Sequence, residues 1–263
     1  MTLERIRVVP EPVDVYQEFA RHFISELQEV QDSEKTLNLI LPIGPTSQYP
    51  LITAQINYQR LSMKNCRIIL MDEYLDWHGR PLVSSHHLSF RRQFEEFLST
   101  VNPELRIDDE HWVIPDPFDI YSIDNFISKH GSVQTCYGGI GVHGHIAFNE
   151  PPVSRYGSVS LDEFRNSGTR VVVLAPETLT INALRGNNGK FSNFPTLAVT
   201  IGMKHILGAS KIRLYADGGS RQHEALRQFV EESENIFYPI TLLKNHKDVS
   251  ILVDSNTGSE LNK

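Results

Sequence analysis

The densest chemistry in the chain lies in Gly138-Gly139-Ile140-Gly141-Val142-His143-Gly144-His145-Ile146-Ala147-Phe148-Asn149-Glu150-Pro151. Four glycines fall within seven positions, permitting tight turns and close approach of a ligand to the backbone. Two histidines and a glutamate sit among them. Histidine gives and takes protons near neutral pH. A nearby carboxylate can fix its tautomer and raise its basicity. The same residues also fit a glycine turn with hydrogen-bonded histidines, or two metal ligands, but no third ligand stands at a standard spacing. No metal is expected.

A second candidate is Met71-Asp72-Glu73-Tyr74, where an apolar strand ends in two adjacent carboxylates. Neighbouring side chains on a strand point to opposite faces. Only one of the two would therefore face a given pocket. On these four residues alone, two solvated surface acids explain the pair equally well.

These residues need elements to hold them. Apolar spacing predicts a helix over Val13 to Val30. Leu37 to Leu41 reads as a strand ending at Pro42-Ile43-Gly44-Pro45-Thr46, with a helix following to about Arg60. Further strands are expected at Arg67 to Met71, Trp112 to Ile114, Thr135 to Ile140, Arg170 to Leu174, Leu197 to Ile201, Lys211 to Ala216 and Val249 to Val253, with a short one near Ile240. Helices are expected at Ser84 to Thr100, Tyr121 to His130 and Ser220 to Glu232. Such alternation implies a single α/β domain, three layers in α/β/α order, around a mostly parallel, Rossmann-like sheet. Ligands bind such sheets at the carboxyl ends of the strands, where the unusual residues fall. Pro151 to Gly168 has weak periodicity and is a candidate active-site lid. The polar stretch Asp254 to Lys263 is expected to fray.

Composition narrows the partners. The 263 residues are 40% hydrophobic, enough for a proper core. A formal charge of −7 argues against nucleic acid or an anionic membrane as partner. It leaves an anionic small molecule open, because a helix N-terminus can hold a phosphate. Two scattered cysteines, Cys66 and Cys136, suggest a reducing compartment. The charged N-terminus has no apolar core of signal-peptide length, and no apolar run is long enough to span a membrane. A cytoplasmic protein is expected.

The MDEY segment together with GGIGVHGHIAFNEP closely resembles the glucosamine-6-phosphate deaminase family, and the PIGPT loop resembles that family's phosphate-cradling loop. The resemblance implies that Asp72 abstracts the C2 proton and returns it at C1. It implies that His145 helps open the sugar ring and that Glu150 supports it. Gly44, Pro45, Thr46, Gly139, Gly141 and Gly144, with Arg221, are then the expected substrate and phosphate ligands. The chemistry needs an open-chain sugar, a carboxylate base and an acid–base group at the oxygens. With an amine at C2, the same proton transfer gives an iminium that water hydrolyses to ammonia. No cofactor is required. The expected partner is a small sugar phosphate, and a homo-oligomer is left open.

Three positions depart from the family pattern. His143 stands where the family has aspartate. A family arginine near the lid falls at Leu179, and a phosphate lysine falls at Gln222. With histidine for aspartate, the substrate is expected to differ from plain glucosamine 6-phosphate, and His143 joins the catalytic candidates. Two other functions compete: a hydrolase of the phosphogluconolactonase type and a non-catalytic sugar-phosphate sensor. The FNEP ending and the MDEY base argue against both.

Overall fold

The structure, a computed structural model, describes residues 2–31, 33, 35–44, 46–153 and 157–261. Its centre is built from apolar runs short enough for strands and buried on both faces. These are β2 (Leu37–Leu41), β3 (Cys66–Leu70) and β6 (Thr135–Gly139). With β1 (Ile6–Val9), β5 (Trp112–Val113), β9 (Lys211–Ala216) and β10 (Val249–Asp254) they make a seven-stranded sheet. Its order is β1-β10-β9-β6-β2-β3-β5, and every pairing is parallel.

Side-chain alternation along the strands divides the core in two. Leu39, Leu41, Ile68, Leu70 and Tyr137 point to one face, and Ile40, Ile69 and Cys136 to the other. Helices α1 (Pro12–Glu29), α2 (Tyr49–Gln59) and α3 (Phe90–Thr100) bury their apolar stripes on the first face. Helices α4 (Ser122–His130), α5 (Leu161–Arg165), α7 (Met203–Leu207) and α8 (His223–Glu231) contribute to the second core. Two separate cores on one sheet are the three layers that the alternation implied.

The sheet order reverses between β2 and β6. From β2 the chain steps outward through β3 and β5, and from β6 it steps the other way through β9 and β10. The loops leaving the carboxyl ends of these strands diverge and open a crevice. Gly44 to Thr46 follow β2, and the glycine-rich turn follows β6.

One part of the chain leaves this plan. After β3 the backbone bends at Met71 and starts β4 (Asp72–Leu75), which pairs antiparallel with β8 (Leu197–Thr200). β8 pairs antiparallel with β7 (Arg170–Val173). Strands expected in the parallel sheet at 170 and 197 thus form a second, three-stranded sheet that carries Asp72.

Other expectations are corrected. The apolar cluster at Ile240 is a buried 3-10 turn, Pro239–Leu243, because Pro239 opens a tight turn there. The helix expected from Ser84 begins at Phe90, where Ser89 caps it by accepting from the Arg92 N–H at 3.3 Å. Asp254 to Lys263 is not frayed from its start. Asp254 ends β10, and buried Thr257 accepts from the Gly219 N–H at 2.8 Å. Residues 262 and 263 lie outside the described residues. No described helix is long and apolar enough to cross a membrane.

Candidate active site

The turn after β6 is wound around one imidazole. The Gly141 N–H donates to the His145 carbonyl at 2.9 Å, and the Gly144 N–H donates to the Gly141 carbonyl at 2.9 Å. Gly144 has a φ of 70°, which favours glycine. The His145 ring lies so close over Gly141 that a Cβ there would meet Nε2 at 2.0 Å. Downstream, Asn149 anchors the loop: its amide donates to the carbonyls of Ile146 and Ile201, and Arg170 donates to its oxygen at 2.8 Å. The buried Thr200 hydroxyl accepts from the Phe148 N–H at 3.1 Å. These bonds tie the motif to β7 and β8, the strands that carry β4, and so fix His145 relative to Asp72.

Asp72 and Glu73 divide as strand geometry requires. Asp72 lines the cavity at the crevice. Burial, reinforced by the negative charge of Glu73, pushes its carboxyl up to about 8. Glu73 points the other way and accepts from Tyr74 N–H, Phe90 N–H, Arg91 N–H and Ser89 Oγ, all at 2.8–3.0 Å. It therefore caps the N-terminus of α3 and pins β4 to it. Burial, with the neighbouring His143 as a lesser cause, pushes His145 down to about 3, so it stands neutral.

The cavity is about 490 Å³, within the roughly 300–1,000 Å³ common for small-molecule sites. Asp72, His145, Gly139 and Gly141 line it. Gly44, Thr46, Gly218 and Arg221 line it too, as sequence reasoning expected of the first two and of Arg221. Pro45 lies outside the described residues. Gly144 does not reach the cavity; its missing Cβ leaves room for Ile240, which would otherwise sit 2.8 Å away. Among the described residues no three His, Cys, Asp or Glu side chains are grouped as a metal site.

Several lining residues were not visible beforehand. Helix α6 (Pro176–Gly186) forms one wall through Thr178, Ile181, Asn182 and Arg185, whereas no described residue of 151–168 lines the cavity. Residues 154–156 of that candidate lid lie outside the described residues. Arg185 lies 3.5 Å from Asp217, which also accepts from the Tyr16 hydroxyl. Gln222, at the position where the family pattern places a phosphate lysine, is buried and bonds the Gly218 N–H and the Ile140 carbonyl. Leu179 packs against the core.

Two catalytic candidates stand apart from the cavity. Glu150 is buried and accepts from the Ala175 N–H at 2.6 Å, and burial raises its carboxyl above its ordinary value. No hydrogen bond joins it to His145, and its Oε1 has no partner among the described residues. His143 sits behind His145, ring centroids 6.0 Å apart, with Nε2 3.8 Å from a Glu177 carboxylate oxygen.

Known proteins share this sequence and this fold. Glucosamine-6-phosphate deaminase of Corynebacterium glutamicum is 30% identical over 226 residues, 86% of this chain and 83% of its own length. The Caenorhabditis elegans enzyme of the same name is 27% identical over 258 residues, 97% of this chain and 91% of its own. Among solved structures, a monomeric glucosamine-6-phosphate deaminase superposes with a TM-score of 0.80 at 23% identity, covering 97% of this chain and 99% of its own. The 6-phosphogluconolactonase of Trypanosoma cruzi shares the fold more distantly, with a TM-score of 0.69 at 16% identity and 98% of this chain covered. No family model matches. Sequence identity of 30% that runs through five-sixths of a relative's length makes this chain a member of the glucosamine-6-phosphate deaminase family.

Proposed function

We propose that the chain interconverts an aldose 6-phosphate and a ketose 6-phosphate, releasing ammonia when the sugar carries a C2 amine. Asp72 is the base that takes the C2 proton and returns it at C1. The observation that carries this reading is the state of Asp72: buried, lining the cavity, and raised to about 8. A carboxylate with that pKa can hold and release a proton near neutral pH. Glu73, its neighbour, is committed to α3 and leaves Asp72 as the base.

His145 serves ring opening as a neutral imidazole, which can take the O1 proton at one nitrogen and give one to the ring oxygen. The phosphate lies toward Gly44, Thr46 and Arg221, near the N-terminus of α2, where unpaired N–H groups favour an anion. Arg185 offers a second cation at the same cavity. Water attacks the C2 iminium once it has formed.

His143 does not touch the cavity, so its effect on the choice between amine and hydroxyl at C2 passes through His145. The test is a panel of hexose and hexosamine 6-phosphates, read by ammonia release and ketose formation. Turnover of at least one member with C2 proton exchange into solvent is expected. A panel with no isomerisation and no ammonia release would overturn the reading.

A further inference from the structure

Arg221 rides on a loop that a distant part of the chain holds. Gly218 to Gln222 follow β9, and Gly218, Arg221 and Gln222 line the cavity. Arg221 has no ion pair among the described residues, so the backbone beneath it decides where its charge sits. Two hydrogen bonds fix that backbone. Gln222 accepts from the Gly218 N–H within the loop. The second bond comes from 38 residues away: Thr257 accepts from the Gly219 N–H at 2.8 Å, with both residues buried. Gly219 has a φ of 62°, and a Cβ there would meet Asn256 Nδ2 at 2.7 Å. The loop thus lies directly on the turn that follows β10. That turn is rooted in the sheet. Asp254, the last residue of β10, pairs with Val9 of β1 and accepts from the Thr257 N–H at 3.1 Å. The Gly258 N–H donates to the Asp254 carbonyl at 2.9 Å.

On the reading that the substrate phosphate lies at Arg221, we infer that Thr257 is a positioning residue of the anion site, seated outside the cavity. Its hydroxyl takes the Gly219 N–H, Gly219 sets the course of Ser220 and Arg221, and the guanidinium is thereby aimed at the phosphate. Thr257 itself does not line the cavity. Its place in the argument follows from the departure at position 222. There the side chain is a buried amide turned to Ile140, and the cation stands one residue earlier on the exposed side of the loop. A charge so placed reaches a ligand only if the loop keeps its course. Without the Thr257 hydroxyl the Gly219 N–H would be buried and unpaired, and the loop would shift to relieve it. Strand β10, which carries no site motif, thus reaches the substrate through Asp254, Thr257 and Gly219.

The test uses Thr257→Val, Thr257→Ser, Gly219→Ala and Arg221→Ala in the full chain. Each is assayed on the fastest sugar phosphate of the panel and for competitive inhibition by inorganic phosphate. Valine keeps the shape of threonine and removes the acceptor. Thr257→Val is expected to raise KM and the phosphate inhibition constant together, about tenfold, the worth of one buried hydrogen bond. The kcat stays within about twofold, since phosphate binding is alike in ground and transition states. Thr257→Ser returns both constants to within about twofold of wild type. A merely structural role would lower the melting temperature without separating KM from kcat. Gly219→Ala breaks the same contact from the other side, gives the same split, and decides the matter if Thr257→Val does not fold. An unchanged inhibition constant in either variant that folds overturns the inference, as does a serine variant as weak as the valine one. Failure of both to fold would make the turn a general prop and overturn it too. Arg221→Ala separates the two levels. If it leaves the inhibition constant unchanged, the phosphate lies elsewhere and the parent reading of the anion site falls. If it raises the constant while Thr257→Val does not, the role of Thr257 alone falls.

Discussion

Asp72 and Glu73 are adjacent carboxylates on β4 with opposite tasks: the first faces the cavity and the second accepts four hydrogen bonds, three from residues 89 to 91 at the start of α3. The cavity-facing carboxyl and the fastening of its strand are thus one residue apart.

Asp72→Asn is expected to fold and to lose about 10²- to 10⁴-fold in kcat, the usual worth of a general base. Wild-type kcat/KM should rise with pH up to about 8, where the free carboxyl ionises. Folding raises this pKa from 3.8 to about 8. Between those values the folded chain holds a proton that the unfolded chain has released, so stability falls as pH rises through that window. At pH 9 the amide variant should therefore melt higher than wild type, by at least about 2–4 °C if as little as 1 kcal/mol is recovered. Calorimetry at pH 5 and pH 9 checks it; a lower melting point at pH 9 contradicts the assignment.

Glu73→Gln should do the reverse. Its amide nitrogen cannot accept from the donors that one carboxylate oxygen now serves, leaving buried N–H groups unpaired. We expect a loss of about 1–3 kcal/mol, seen in denaturant midpoints. The fall in kcat should be far smaller than for Asp72→Asn. Equal damage to kcat in both variants would assign Glu73 to the chemistry.

The resolution between motif and fold explains what sequence alone made legible. Leu37–Leu41 and Lys211–Ala216 match the expected bounds because buried parallel strands are apolar throughout. Asp72, His145 and the glycines were legible because they sit within short local motifs. Arg185, Asn182, Asp217 and Tyr16 were not, since the fold gathers them from separate elements and no spacing connects them. The antiparallel excursion of β4 was hidden because Asp72-Glu73 breaks the apolar pattern just where the strand begins. The Ile240 turn was misread as a strand because P-I-T-L-L is apolar in either form.

Gly141→Ala should keep the fold and lose activity. The new Cβ would overlap His145 Nε2, so the imidazole must move. A displacement of about 1 Å can cost roughly 10²-fold. Circular dichroism should be unchanged while kcat falls by that order. Full activity would show that the ring position is not needed.

Arg221→Ala should raise KM for a phosphorylated substrate much more than it changes kcat, because phosphate binding is alike in ground and transition states. Asp217→Asn should lower KM by a few-fold, since it frees Arg185 from its carboxylate neighbour at 3.5 Å. Opposite signs in steady-state kinetics are the check. An unaltered KM in both would place the phosphate elsewhere.

Gln222 has a mechanical consequence. Its side chain joins the Gly218 turn after β9 to Ile140 in the turn after β6, so the two loops travel as one body. The opposite wall is held by a different set of contacts. Helix α6 meets the rest of the cavity through Arg185 near Asp217 and through Asn182 bonded to the Tyr74 hydroxyl at 3.0 Å. The crevice is thus sutured on one side across two loops, and on the other by side-chain bonds and the packing of Leu179 and Ala183.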